Sequence, residues 1–325
     1  MRINLSSFLQ RRFNIFIYRK LGWRITLFYI IVLGKLYFFF NRKENQKVKK
    51  AIRTVFAEGK SGAEIKSITR NVFRGILFHY YEKLFNAFSS TETLKTFFKL
   101  HVQSQGMQVI QNGLAKGNGV LLITGHYGGV EFMPGFLGAN NYPITIVVRF
   151  SSSQLRHMSI QKAAEFTTKI IDADHTPNVM KAIFESLREN RIVITQCDEI
   201  DEWRPSRHET ISFLGKKTHL DRTTNILSKR GSAAIVFGAM HRDQKLHYKF
   251  TATSPEEMEK HLQHSGNGSV GAAALKYLER FIYKYPQEWY QWKKYSQIET
   301  LPSTGREVEH ASPVPLLDPS FGKAS

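Results

Sequence analysis

Gly119-Val-Leu-Leu-Ile-Thr-Gly-His-Tyr-Gly-Gly-Val-Glu131 is the stretch on which the reading of this chain turns. Five apolar or β-branched residues, Val120 to Thr124, lie between glycines 119 and 125, the pattern of a short strand buried on both faces. The loop that follows carries His126, Gly128, Gly129 and Glu131. In an open α/β sheet, ligands bind in the loops at the carboxyl ends of strands. The ordinary pKa of a histidine side chain suits His126 to take a proton from an alcohol near neutral pH, and Glu131 is expected to orient the ring and stabilise the imidazolium. Gly128 and Gly129 are expected to let backbone approach a substrate closely, with their amides turned to an oxyanion or phosphate.

Outward from this stretch, the apolar runs Ile144–Val148, Ile192–Thr195 and Ala233–Phe237 repeat the buried-strand pattern. Helical stretches near Ser152–Lys169, Asn178–Asn190 and Asp221–Lys229 separate them, so the expected fold class is α/β, a mostly parallel sheet flanked by helices. Lys245–Ala252 is expected as an edge strand and Val270–Tyr285 as a late helix. Two helices are expected before the sheet. The first carries Val48, Ile52, Val55 and Phe56; the second starts at the S-x-x-E capping box Ser61–Glu64 and shows Ile65, Ile68, Val72, Ile76, Tyr80 and Leu84 on one face, with Phe73, Leu77 and Phe85 also in the core.

Composition narrows the class. With 42% hydrophobic and 22% charged residues the chain falls outside the disordered and collagenous classes. Its single cysteine, Cys197, excludes an internal disulfide framework or a CxxC metal site. The net charge is +19, and residues 1–53 alone carry 13 basic side chains against one acid, Glu44, a net +12. These cations alternate with Phe8, Phe13, Phe16 and Trp23 and precede an apolar run from Ile25 to Phe40. Sixteen helical residues reach about 24 Å, short of the roughly 30 Å hydrocarbon core. A retained helix lying in an anionic bilayer surface fits better than a span or a cleaved signal, while a core helix with solvated lysines is the alternative. Nucleic acid is not the expected partner of so many clustered Phe and Ile residues. The expected organisation is a membrane-associating segment 1–46, a domain 47–300 (helical 47–100, α/β 101–300) and a proline-containing, disordered tail 301–325.

No H-E-x-x-H, G-x-S-x-G or P-loop pattern occurs, which removes zincin, serine-hydrolase and NTPase chemistry and leaves direct His-assisted attack. The His126 loop resembles block I, H-x4-[DE], of the PlsC-like glycerolipid acyltransferases. It is more similar still to the branch holding the lipid A late acyltransferases (lauroyl and myristoyl transferases) and the phosphatidylinositol mannoside acyltransferases. The pieces run in that branch's order from about Trp23 to Tyr295: Val48–Phe56, Asn71–Arg74, His126 with Glu131, Val147-Val-Arg149, Gln196-Cys-Asp198, Ser212-Phe-Leu-Gly215 and Glu288-Trp-Tyr-Gln-Trp-Lys293.

The resemblance implies a PlsC-like fold and His126 as general base on an acceptor hydroxyl that attacks the thioester of acyl-carrier protein or acyl-CoA. It implies Glu131 as orienter, Asp198 as a second carboxylate near the base, Arg149 as a donor- or phosphate-side contact, and Phe213 with Gly215 in a substrate-facing turn. No metal or further cofactor is expected. The implied acceptor is a lipid or glycolipid, with lipid A favoured, and the implied location is the cytoplasmic face of the inner membrane. A lysophospholipid or glycerol-phosphate acyltransferase and a non-catalytic lipid-binding membrane protein are the alternatives. Asp221-Arg-Thr-Thr-Asn225, with Asp221 as a candidate N-cap, and Trp292-Lys-Lys-Tyr295 depart from the branch's Thr-Thr-Gly-like and Trp-x-His-Arg-Arg stretches, and both departures bear on the acceptor.

Overall fold

The computed structural model describes residues 12–150, 153–243, 246–262 and 268–302; the first eleven residues and the expected tail from residue 303 on lie outside the described residues. The chain opens with helices α1 (Arg12–Phe40), α2 (Arg42–Phe56), α3 (Gly62–Phe88) and α4 (Thr91–His101), then β1 (Val102–Gln105) and α5 (Met107–Leu114). There follow β2 (Val120–Thr124), α6 (Met133–Ala139), β3 (Ile144–Val148), α7 (Ser153–Glu165), β4 (Thr168–Asp172), α8 (Val179–Arg188) and β5 (Ile192–Gln196). A hairpin of β6 (Pro205–Phe213) and β7 (Lys216–Asp221) leads into α9 (Thr223–Gly231), β8 (Ala234–Arg242), β9 (Tyr248–Thr253), α10 (Pro255–His261) and α11 (Val270–Lys284). Short 3-10 turns at Pro286–Glu288 and Gln291–Gln297 close the described chain.

The sheet has seven strands in the order β1-β9-β8-β2-β5-β3-β4, parallel except where β8 meets β9. This is the expected α/β class. β2, β3 and β5 fall where the apolar runs place them, because a strand covered on both faces reads as a continuous apolar run. Alternate residues of β2 serve separate cores: Leu121 and Ile123 belong to the one that includes Leu278 of α11, whereas Val120 and Leu122 belong to the one that includes Met133 and Leu137 of α6.

Four elements differ from expectation. β9 is not the edge, since β1 pairs beyond it from Val102↔Tyr248 to Gln105↔Thr251. β1 itself, Val-Gln-Ser-Gln, is polar and mostly exposed, so no apolar pattern marks it. β4 takes the place of the last part of the helix expected to run to Lys169; that helix stops at Glu165, and Thr167, at φ 52, turns the chain into Thr168–Asp172. A further helix, α4, also precedes the sheet, capped by Ser90. The capping box at Ser61 and Glu64 is present as expected.

α1 lies across α3. Ile30 and Phe38 are buried in that contact, the Phe38 and Phe73 rings are 4.9 Å apart, and a Cβ on Gly34 would stand 2.0 Å from a Leu77 methyl carbon. The other face of the same helix is exposed: Ile25, Phe28 (68%), Val32, Leu36, Phe39 (67%) and Phe40 (78%). The run from Ile25 to Phe40 therefore belongs half to the core and half to a bare apolar stripe. Among the described residues no single helix is long and apolar enough to cross a membrane, and α1 meets α2 at a bend of 94°.

Candidate active site

Strand register brings the two central residues of the site together. β2 and β5 are parallel neighbours with Thr124 opposite Gln196, so the residues two positions beyond each, His126 and Asp198, emerge at the same carboxyl edge. Asp198 is fully buried, and its Oδ1 lies 2.9 Å from His126 Nδ1. The main-chain N–H of His126 donates to both carboxylate oxygens, at 3.0 and 3.1 Å, and the Trp289 indole N–H donates to Oδ2 at 2.7 Å. Three donors make the carboxylate tolerable without water. Burial alone would raise the Asp198 pKa, but the imidazole and these hydrogen bonds hold it below its ordinary value. For His126 burial works downward, and Asp198 followed by Glu199 outweighs it, leaving the imidazole pKa raised above 6.5.

Glu131 does not reach His126. The 3-10 turn Val130–Phe132 packs against α3, where Asn86 donates to the Glu131 carbonyl at 2.9 Å. The Glu131 carboxylate accordingly faces His79 Nε2 at 3.7 Å and Lys83 Nζ at 4.0 Å. Burial drives the His79 pKa well below 6.5, so the contact with Glu131 joins a neutral ring to a carboxylate and is no ion pair. The carboxylate in contact with the His126 ring at Nδ1 is Asp198 and not Glu131.

The amides of Tyr127, Gly128 and Gly129 are engaged. Tyr127 N donates to Gly125 O, Gly128 N to Glu288 O and Gly129 N to Met240 O, at 2.7 to 2.8 Å. Gly128 and Gly129 thus do not form the expected oxyanion cradle. Gly128 is required for another reason: its φ is 56°, and a Cβ there would meet the Met240 carbonyl at 1.9 Å. The two glycines seat the loop on β8 and the C-terminal segment.

Arg149 lies at the end of β3 with an exposed side chain whose guanidinium is paired with Asp174 at 2.9 Å and with Glu202. Its charge is already met by two carboxylates, which weakens the expected phosphate role. Phe213 and Gly215 do form a tight hairpin tip, with left-handed backbone at Leu214 (φ 49) and Gly215 (φ 79). Phe213, however, is fully buried and packs edge-on against Trp289, so it supports the Trp289–Asp198 contact from behind and cannot touch a substrate. Leu214 is locked on both sides, donating to Glu279 and accepting from the Tyr295 hydroxyl. Arg222, and not Asp221, stands at the N-cap position of α9. Asp221 accepts from Arg204 N and the Thr223 hydroxyl.

Several residues with no individual role expected from sequence complete the site. Tyr290 stacks on His79 (centroids 3.5 Å apart) and meets the His126 ring edge-on at 5.5 Å. Behind the loop, Arg242 of β8 pairs with Glu82 of α3 at 2.6 Å and with Glu288 at 3.0 Å, all three buried, and Tyr248 donates to Glu82 at 2.8 Å. The backbone of Glu288 holds Gly128, so this ion cluster anchors the loop that presents His126. The aromatic density of Glu288-Trp-Tyr-Gln-Trp-Lys293 is visible in the sequence; which atom each residue serves is not.

A histidine held through Nδ1 by a buried carboxylate, at the carboxyl ends of the central strands of an open sheet, has the geometry with which an imidazole can exchange a proton with a bound ligand. The family model described as bacterial lipid A biosynthesis acyltransferase matches residues 11–294. The chain belongs to that family, and it is an acyltransferase of lipid A biosynthesis acting on lipid A-type acceptors. No curated protein matches the chain.

Proposed function

We propose that the enzyme moves a fatty acyl group from the thioester of acyl-carrier protein or acyl-CoA directly to a hydroxyl of a lipid A-type acceptor, at the cytoplasmic face of the inner membrane. The observation that carries this reading is the 2.9 Å contact between His126 Nδ1 and buried Asp198, which leaves Nε2 as the nitrogen able to act on a substrate. The acceptor oxygen bonds to the thioester carbonyl carbon as Nε2 takes its proton. The tetrahedral intermediate then collapses, the carbon–sulfur bond breaks, and the proton returns from Nε2 to sulfur as the free thiol leaves. The test is transfer of labelled acyl chains by the purified full-length protein, supplied in turn as acyl-carrier protein and acyl-CoA thioesters, to a lipid A precursor and to lysophosphatidate. Label on the lipid A precursor is expected; label on lysophosphatidate alone overturns the acceptor assignment.

The exposed stripe of α1 and the cationic N-terminal segment support an interfacial seat. Each large apolar side chain removed from water contributes about 1.5–3 kcal/mol, and each cation near an anionic surface on the order of 1 kcal/mol. Only the second contribution is screened by salt. High salt alone is expected to leave the protein on membranes, high salt with mild detergent to release it, and the triple variant Phe28→Asp, Leu36→Asp, Phe39→Asp to come off in salt alone. Complete release of the wild-type protein by salt would return the stripe to the core-helix reading.

A further inference from the structure

We infer that Glu199 is a positioning residue that guards the reacting nitrogen of His126 until the acceptor hydroxyl displaces it. The inference rests on His126 being the base. The imidazole lies between two carboxylates: Asp198 Oδ1 is 2.9 Å from Nδ1, and Glu199 Oε2 is 3.4 Å from Nε2. A neutral imidazole has one N–H and can donate to one carboxylate only, so two flanking carboxylates favour the imidazolium, the form with a proton on each nitrogen. An imidazolium has no lone pair with which to accept a hydroxyl proton. For His126 to work, the Nε2 proton must pass to solvent and Glu199 must vacate the position.

The two carboxylates are built differently. Asp198 is fully enclosed and fixed by three other hydrogen bonds, whereas the Glu199 side chain is 37% exposed. Lys294, on the 3-10 turn Gln291–Gln297, offers Glu199 a second station: its ammonium is 3.8 Å from Glu199 Oε1 and 2.5 Å from Asp201. Tyr290 also stands beside the ring, with neutral His79 of α3 beyond it. Once the Nε2 proton has left, its lone pair faces the carboxylate oxygens, and Glu199 turns toward Lys294. The acceptor hydroxyl then donates to Nε2 in its place. Without an acceptor the site holds no free base to activate water, so the acyl thioester is protected from hydrolysis.

The experiment uses full-length protein in detergent and follows two readouts, the pH profile of kcat/KM and thioester hydrolysis in the absence of acceptor. Glu199→Gln removes the negative charge at Nε2 without disturbing the buried core. It is expected to shift the acid limb of the profile to lower pH by on the order of one unit, and to raise acceptor-independent hydrolysis severalfold at pH 6. Lys294→Met, which removes a cation, is expected to move the limb to higher pH. An unmoved limb or unchanged hydrolysis in Glu199→Gln overturns the inference when His126→Ala is inactive in the same assay. Wild-type activity in His126→Ala instead removes the general-base reading beneath it.

Discussion

His126→Ala is expected to lower acyl transfer by about 10²–10⁴-fold, the usual range for loss of a general base, while the protein folds and remains on membranes. Retained folding follows from the contacts. The main-chain N–H of residue 126 and the Trp289 indole still donate to Asp198, so the buried carboxylate keeps most of its partners when the ring is removed. Asp198→Asn is expected to cost on the order of 10²-fold or more, because an amide in that place no longer fixes the ring tautomer or balances the imidazolium. Glu131→Gln is expected to be the mildest of the three, since its carboxylate faces His79 and Lys83 and not the base. Single-turnover transfer rates on the three purified variants separate these cases. Near-normal turnover in His126→Ala contradicts its role as base, and a Glu131→Gln defect equal to that of Asp198→Asn contradicts the assignment of Asp198 as the orienting carboxylate.

Arg242→Met is expected to destabilise the fold by on the order of 3–5 kcal/mol, the cost of leaving buried carboxylates without their cation. Arg242 is the only cation paired with either Glu82 or Glu288 among the described residues, and all three side chains are at most 5% exposed. Glu82 sets the pH dependence. Burial, opposed by Arg242, pushes its carboxyl up to about 7 from the ordinary 4.5. A carboxyl whose pKa is raised in the folded state contributes stability that is present below its unfolded value and is lost as pH rises through the folded value. Removing Arg242 takes away the group that resists this rise, so the deficit should be small near pH 5, where Glu82 can hold a proton, and grow to its full size above pH 7. Thermal unfolding of wild-type and Arg242→Met protein at pH 5 and pH 8 measures it. A deficit equal at both pH values contradicts the linkage. Because Glu288 also holds Gly128, transfer activity should fall in the folded variant as well.

Legibility in this chain tracks burial. β2, β3 and β5 are readable because they are covered on both faces and can be built only from apolar runs. β1 is unreadable because an exposed edge strand needs no apolar side chains, and β4 because its boundary depends on a left-handed Thr167 that no residue type announces. The α1 segment is legible as hydrophobic yet ambiguous in use: Ile30 and Phe38 go to the core and Phe28, Phe39 and Phe40 face out, a division that depends on where α3 lies.

The sequence by itself determined the α/β class, the loop that carries His126, the candidate carboxylates Glu131 and Asp198, and the family to which the chain belongs. These follow from local chemistry: apolar runs, glycines, and side chains with a proton to exchange. Which carboxylate meets His126 was decided by tertiary structure alone. Glu131 is five residues from His126 and faces away, while Asp198 is 72 residues distant and touches it, because parallel pairing of β2 with β5 sets Thr124 opposite Gln196 and carries both loops out at one edge. The same holds for Glu199 on Nε2, Trp289 on Asp198 and Arg242 between Glu82 and Glu288. Spacing along the chain constrains neighbours on one helix or strand, whereas contacts between elements depend on register and packing, which no local pattern encodes.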